Sequence, residues 1–171
     1  MAISIDELRR AASRGRPQRL AKSLNEAKAK AQSTAFLCHS HHDNTLATGL
    51  QVLFGENGWD VYIDWQDNTL PDVPNRLTAD KIRDKIRRLD WFLFLATPNS
   101  VKSRWCPWEI GFADSCKPIE QILLIRTNDS HGYYGNEYLQ LYPEIAHSTA
   151  GQLLVFAAGD DHHGKSIRGL K

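Results

Sequence analysis

The sequence has 171 residues, 42% hydrophobic and 24% charged, which is the size and composition of one globular domain with at most a short appendage. The formal net charge of +1 argues against bulk attraction to nucleic acid or to an anionic membrane, so neither is expected as a partner. The three cysteines lack CxxC spacing, which argues against a disulfide framework or a zinc knuckle, and without an apolar stretch of roughly 18–20 residues we expect a cytoplasmic protein.

The first 33 residues are basic, with eight Lys and Arg against three Asp and Glu. Ser4 and Glu7 have the spacing of a capping box, which predicts a helix from about residue 5, and Pro17 suits the first turn of a second helix. Because the apolar face of these helices is narrow, we expect residues 1–33 to form a basic helical extension that docks on the domain or on a partner. The domain itself is predicted to span residues 34–171.

Short apolar runs alternate with helical periodicity from residue 34 onward. Strands are predicted at Ala35–Cys38, Trp59–Ile63, Trp91–Thr97, Gln121–Thr127 and Gln152–Ala158. Trp91–Thr97 is apolar on both faces, which is typical of a sheet covered by helices on both sides. Five strands with intervening helices predict an α/β fold with a doubly wound, mainly parallel, five-stranded sheet. One of those helices is predicted to face the core with Leu77, Ile82, Ile86 and Leu89.

In such a fold ligands bind beyond the carboxyl ends of the strands, where the strand order reverses. The sequence excludes three classes of nucleotide or phosphate site there. The segment after the first strand, CHSHHDN, lacks the G-x-G-x-x-G of a dinucleotide-binding domain, and the GxxxxGK[ST] of a P-loop does not occur. A phosphoacceptor receiver domain would need acids where Cys38, His39 and Thr97 stand.

The cluster His39, His41, His42 and Asp43 raises the question of a metal site. In an extended segment His39 and His41 would point to one side and His42 to the other, so three ligands would converge only in a turn. Since no further Cys or His lies nearby at ligand spacing, we predict no metal. The segment is instead expected to hydrogen-bond a substrate or to cap the next helix.

A single acid, Glu109, stands among aromatic residues in the segment SRWCPWEIGFAD. If a helix begins near Pro107, Glu109 lies in its first turn, and Trp105 and Trp108 are close enough to flank it. One interpretation is a carboxylate favoured by the helix dipole, with the tryptophans in the core. The other is a carboxylate in a strand-end pocket with an aromatic wall, placed to stabilise an oxocarbenium-like sugar cation. The residues alone leave both open.

Three segments, AFLCHSHHD, DWQDNTLPD and SRWCPWEIGFAD, occur in order at predicted strand ends. Together they resemble the boxes of a Toll/interleukin-1 receptor (TIR) domain, over about residues 34–158, and in particular the small bacterial kind found in antiphage defence. The resemblance implies a flavodoxin-like fold. It also implies an NAD⁺ glycohydrolase or cyclase that cleaves the nicotinamide–ribose bond and leaves ADP-ribose or a cyclic or conjugated ADP-ribose signal.

The resemblance also implies roles for individual residues. Glu109 matches the catalytic glutamate, and Trp105 matches the aromatic residue that stacks near nicotinamide. His39 and Ser40 match first-box positions that line the pocket. Asp64 and Trp65 begin the BB loop, residues 64–75, which shapes the pocket. NAD⁺ would be the substrate, and no cofactor or metal would be needed.

Partners follow from the same resemblance. TIR surfaces and the BB loop would mediate self-association, and the product would activate a separate effector protein. This chain departs from the family at Pro71-Asp72, where many members carry Pro-Gly, and at Pro74, which stiffens the loop.

Two other functions stay open from the sequence: a non-catalytic TIR–TIR interaction scaffold, and an N-glycosidase similar to nucleoside deoxyribosyltransferases. A tyrosine-rich segment at residues 132–145 could cover the pocket or pack on the sheet, and we predict that it packs.

Overall fold

A computed structural model describes residues 1–15, 32–71, 75–135, 137–160, 162–168 and 170. Its helices are α1 (Ile5–Ser13), α2 (Asn44–Gly55), α3 (Arg76–Arg88), α4 (Pro98–Lys102) and α5 (Cys106–Cys116). Its strands are β1 (Ile3–Ser4), β2 (Ser33–Cys38), β3 (Trp59–Tyr62), β4 (Trp91–Ala96), β5 (Ile122–Asp129), β6 (Gly132–Tyr133), β7 (Glu144–His147), β8 (Leu153–Phe156) and β9 (Lys165–Ser166). No helix within these ranges is long and apolar enough to cross a lipid bilayer.

One sheet joins all the described strands, in the order β3-β2-β4-β5-β7-β8-β9, with β1 and β6 paired to β5. The first five strands of this order run parallel to one another, which confirms the doubly wound, mainly parallel fold. The described residues form nine strands rather than the predicted five. The strand predicted at 152–158 is present as β8, but it runs antiparallel to β7, which takes the fifth place in the parallel part of the sheet. Only residues 148–152 connect the two, and a parallel crossover needs a dozen residues or more.

The sheet carries a hydrophobic core on each face, as double winding requires. One core packs α1 and α2 against the sheet, and the other packs α3 and α5 against the opposite face. The α3 helix begins after Asn75, whose side chain accepts hydrogen bonds from the first turn, and it buries Thr78, Ile82 and Ile86. The inward prediction for Leu77 was wrong, since its side chain is 53% exposed and the neighbouring Thr78 takes the inward position.

Residues 3–13 belong to the same sheet and core as the rest of the domain. The β1 strand pairs in parallel with β5, and α1 packs closely on α2. Ser4 caps α1 by accepting a hydrogen bond from the Glu7 amide at 3.0 Å, which confirms the first predicted helix. The second predicted helix, from Pro17, lies outside the described residues, and a domain boundary at residue 33 stays a prediction.

The contact between α1 and α2 depends on a glycine. A Cβ atom added to Gly49 would lie 1.9 Å from the Leu8 carbonyl oxygen, so only glycine allows the two helices to approach this closely. Next to this contact, the Glu7 carboxylate lies 2.9 Å from His147 Nε2 and ties α1 to β7. The first helix is therefore fixed to the domain by both packing and charge.

The tyrosine-rich segment packs on the sheet, as predicted. It forms a short 3₁₀ turn at Glu137–Leu141 and then continues into β7. Leu139 and Tyr142 are buried in the core on the α3 and α5 side, whereas Tyr133 and Tyr138 are exposed.

Candidate active site

The strand order reverses at β2, which has β3 on one side and β4 on the other. A cleft of about 730 Å³ opens near the carboxyl ends of these strands, within the roughly 300–1,000 Å³ of small-molecule sites. Five of the six predicted site residues line it: His39, Asp64, Trp65, Trp105 and Glu109. Several other residues line the cleft without having been predicted individually as site residues, among them Asp67, Asn68 and Leu70 of the BB loop and Thr78, Ile82 and Ser103.

Glu109 lies in the first turn of α5 and is only 4% exposed, yet it forms part of the cleft wall. Burial raises the pKa of its carboxyl group to about 8, and nearby Cys106 and Asp64 act in the same direction. A hydrogen bond with Cys38 opposes the rise. With a pKa of about 8 the carboxyl group is mostly protonated at neutral pH, and a bound cation would favour its ionised form.

Local hydrogen bonds explain why Glu109 is placed there. The Ser103 hydroxyl accepts from the backbone amides of Trp105 and Cys106, at 3.1 and 3.3 Å, and so shapes the turn that leads into α5. Pro107 fits the first turn of the helix, where its missing N–H costs nothing. Cys38, at the end of β2, is fully buried against this turn, with its Sγ 3.8 Å from the Cys106 carbonyl oxygen.

Two tryptophans on different segments give the cleft an aromatic wall. Trp105 precedes α5 and is 36% exposed, and Trp65 follows β3 and is 46% exposed. Trp108 was expected to flank Glu109 as well, but it does not line the cleft. It packs edge-on against Trp105 and stacks on Phe112, with the Arg83 guanidinium 5.1 Å above its ring.

His39 follows β2 directly and is buried in the cleft wall. Its Nδ1 lies 3.2 Å from the Leu37 carbonyl oxygen. Its Nε2 is buried and has no hydrogen-bond partner among the described residues, and Asp64 Oδ1 lies 3.9 Å away. The same Asp64 oxygen accepts a hydrogen bond from the Trp65 amide at 2.8 Å.

Ser40, the sixth predicted site residue, is not among the described residues that line the cleft. It is 2% exposed, and its hydroxyl accepts from the His42 amide to cap the 3₁₀ turn His41–Asp43. Asp43, the last residue of this turn, is buried and accepts hydrogen bonds from Thr97 at 2.5 Å and Asn99 at 2.7 Å. In the part of the chain that the structure describes, no three His, Cys, Asp or Glu side chains are grouped to hold a metal ion.

The first half of the BB loop is held by Asp67. Its carboxylate accepts hydrogen bonds from the Tyr62 hydroxyl at 2.8 Å and from the hydroxyl and amide of Thr69, and it pairs with Lys85 at 3.4 Å. Burial raises the pKa of Asp67, but these hydrogen bonds and the Lys85 charge outweigh burial and bring it to about 2. The Asp-x-Thr spacing is a sequence signal for such a turn. Residues 72–74 of the loop lie outside the described residues.

The sequence profile of the TIR domain matches residues 35–149 of this chain. The chain belongs to the TIR domain family. This TIR domain is also similar to a protein of Bacillus cereus (strain MSX-D12) named "Probable 3′ cyclic ADP-D-ribose synthase ThsB′". The two are 33% identical over 117 residues, which make up 67% of this chain and 61% of that protein. The chain thus spans about three fifths of the length of this relative.

Proposed function

We propose that this TIR domain cleaves the nicotinamide–ribose bond of NAD⁺ and returns a cyclic ADP-ribose as a defence signal. The observation that carries the proposal is the carboxyl group of Glu109, buried in the wall of a nucleotide-sized cleft whose other walls include Trp65 and Trp105. The name of the Bacillus relative supports the cyclic product.

The chemistry needs little beyond binding and one negative charge. The nicotinamide ring of NAD⁺ is cationic, so it leaves as a neutral molecule when the C1′–N bond breaks and the electron pair goes to the ring nitrogen. No acid is required for this departure. The positive charge that moves onto the ribose is stabilised by the Glu109 carboxylate, and the low dielectric of its buried site strengthens that interaction.

The aromatic wall and the carboxyl group act together on a cationic substrate. Trp105 offers its ring face to the nicotinamide, and a cation over an indole face is attracted by the ring electrons. The same cation favours loss of the Glu109 proton, so the charge needed for catalysis develops when the substrate is bound. A hydroxyl group of the same ADP-ribose, or a water molecule, then forms the new bond to C1′ and gives up its proton.

Mass spectrometry of the products formed from NAD⁺ tests the proposal. We expect the wild-type protein to release nicotinamide, and Glu109→Gln to reduce the rate by about 10²–10³-fold, as for the loss of one preorganised electrostatic group. Glu120→Gln is the matched control, since Glu120 is exposed on the surface. Because the TIR interfaces of self-associating domains could complete the site, the assay is repeated at high protein concentration.

The assay also separates the competing functions. Nucleosides and nucleoside monophosphates offered beside NAD⁺ would be the better substrates of an N-glycosidase similar to nucleoside deoxyribosyltransferases. A folded protein that binds TIR partners and releases no nicotinamide would be an interaction scaffold. Full turnover by Glu109→Gln would remove Glu109 from the mechanism.

A further inference from the structure

His39 carries a buried polar atom that the fold leaves without a partner. The side chain is 2% exposed, and Nε2 has no hydrogen bond to any described residue, although leaving a buried nitrogen without a partner is unfavourable. The ring lines the cleft. An unpaired buried nitrogen in a cleft wall indicates that a ligand supplies its missing hydrogen-bond partner.

The neighbours of His39 define which nitrogen is the acceptor. A carbonyl oxygen only accepts hydrogen bonds, so the contact of Nδ1 with the Leu37 oxygen at 3.2 Å places the proton of the neutral ring on Nδ1. Nε2 then presents its lone pair to the cleft. Asp64 Oδ1, at 3.9 Å, is too far for a hydrogen bond and also has only lone pairs to offer when ionised.

Two acceptors about 4 Å apart match a pair of neighbouring hydroxyl groups, as on a ribose ring. One hydroxyl can donate to His39 Nε2 while the other donates to the Asp64 carboxylate. Asp64 is partly exposed and accepts a hydrogen bond from the Trp65 amide, so its carboxylate can also accept one from a sugar hydroxyl.

We propose that His39 is a catalytic residue that takes the proton of the ribose hydroxyl that closes the ring. This inference rests on the function proposed above and assigns its second step. As the C1′–N bond breaks, the electron pair leaves with nicotinamide. A hydroxyl oxygen of the same ADP-ribose forms the C1′–O bond, and its proton passes to His39 Nε2. A water molecule attacking in its place would give linear ADP-ribose, so His39 sets the ratio of cyclic to linear product.

His39→Asn is the sharpest test. The asparagine amide can keep the hydrogen bond to the Leu37 carbonyl, while the basic nitrogen at the Nε2 position is lost. A positioned base contributes about 10²–10⁴-fold, so we expect the ratio of cyclic to linear product to fall at least tenfold among the turnovers that occur. His42→Asn is the matched control, since His42 lies on the next turn, is exposed and does not line the cleft.

A second measurement changes the substrate instead of the protein. NAD⁺ analogues that lack the 2′- or the 3′-hydroxyl of the adenosine ribose are compared, and the analogue that lacks the attacking hydroxyl should give only linear product. With that analogue, His39→Asn should give the same linear product as the wild type. An unchanged cyclic fraction in folded His39→Asn, or a wild-type protein that forms only linear ADP-ribose, would overturn the role of His39 and leave NAD⁺ cleavage intact. Absence of nicotinamide release from the wild type would overturn both.

Discussion

The proton on Glu109 should control the dependence of NAD⁺ cleavage on pH. With a pKa of about 8 in the free protein, about one tenth of the carboxyl groups are ionised at pH 7. The parameter kcat/KM reports the ionisation of the free enzyme, so it should rise about tenfold per pH unit below pH 8 and level off above it. At pH 7 we expect about a tenth of the plateau value.

The turnover number should respond differently because the substrate is a cation. A unit positive charge about 4 Å from the carboxylate contributes about 4 kcal/mol at an effective dielectric constant of 20. That energy corresponds to about a thousandfold weaker proton binding, which brings the pKa of Glu109 in the complex below neutral pH. We therefore expect kcat to change little between about pH 7 and 9 while kcat/KM rises.

Initial rates of nicotinamide release, measured from about pH 6 to 9.5 at constant ionic strength, test this expectation. Reactions without protein correct for alkaline decay of NAD⁺. The residual activity of Glu109→Gln should not follow the same curve, since glutamine does not ionise. A wild-type kcat/KM that stays flat or falls from pH 6 to 9 would refute the assignment of the controlling proton to Glu109.

Three further predictions concern stability. Glu109→Gln should raise the free energy of unfolding, on the order of 1–4 kcal/mol near pH 8 and less near pH 5. The reason is that the raised pKa of Glu109 makes folding of the wild type less favourable as pH rises from 4.5 toward 8. Thermal melts at both pH values measure the change, and equal shifts in melting temperature at the two pH values would contradict it. Gly49→Ala should lower the free energy of unfolding in urea by about 1–3 kcal/mol, because the new Cβ meets the Leu8 carbonyl, whereas Gly111→Ala, with open space around it, should be neutral or stabilising. His147→Gln should cost about 0.5–1 kcal/mol between pH 4.5 and 6.5. The pKa of Glu7 is lowered and that of His147 is raised, so the pair loses strength as pH falls through the first or rises through the second, and a pH-independent cost would contradict it.

The sequence predicted the parallel sheet because its central strands are apolar on both faces, and β4 keeps all six of its residues buried. It did not predict β7. That strand has four residues, two of them polar, and it is fixed by pairing with β5 and β8 rather than by a local pattern. Short strands of this kind depend on distant partners, which periodicity does not record.

The candidate site was predictable as far as topology decides it. Residues that follow parallel strands meet at one edge, so His39, Asp64 and Trp105 come together with Glu109. Side-chain direction was less predictable. Successive residues on a helix point about 100° apart, so an error of one position in the phase exchanges Leu77 for Thr78.

Ser40 shows a different limit of prediction. Its neighbour His39 faces the cleft, but the Ser40 hydroxyl satisfies a backbone amide of its own turn. Serine often bonds locally in this way, and such bonding competes with a role toward a ligand.

The anchoring of the BB loop by Asp67 has a consequence for substrate affinity. The contacts of Asp67 with Tyr62, Thr69 and Lys85 order this wall in the folded protein. The conformational entropy of the wall is therefore lost during folding and not when NAD⁺ binds. If Tyr62 or Lys85 were substituted, away from the reacting bond, the wall would be less ordered and its entropy would be lost when NAD⁺ binds. The wall of the cleft is in this sense preorganised by a carboxylate that never needs to touch the substrate.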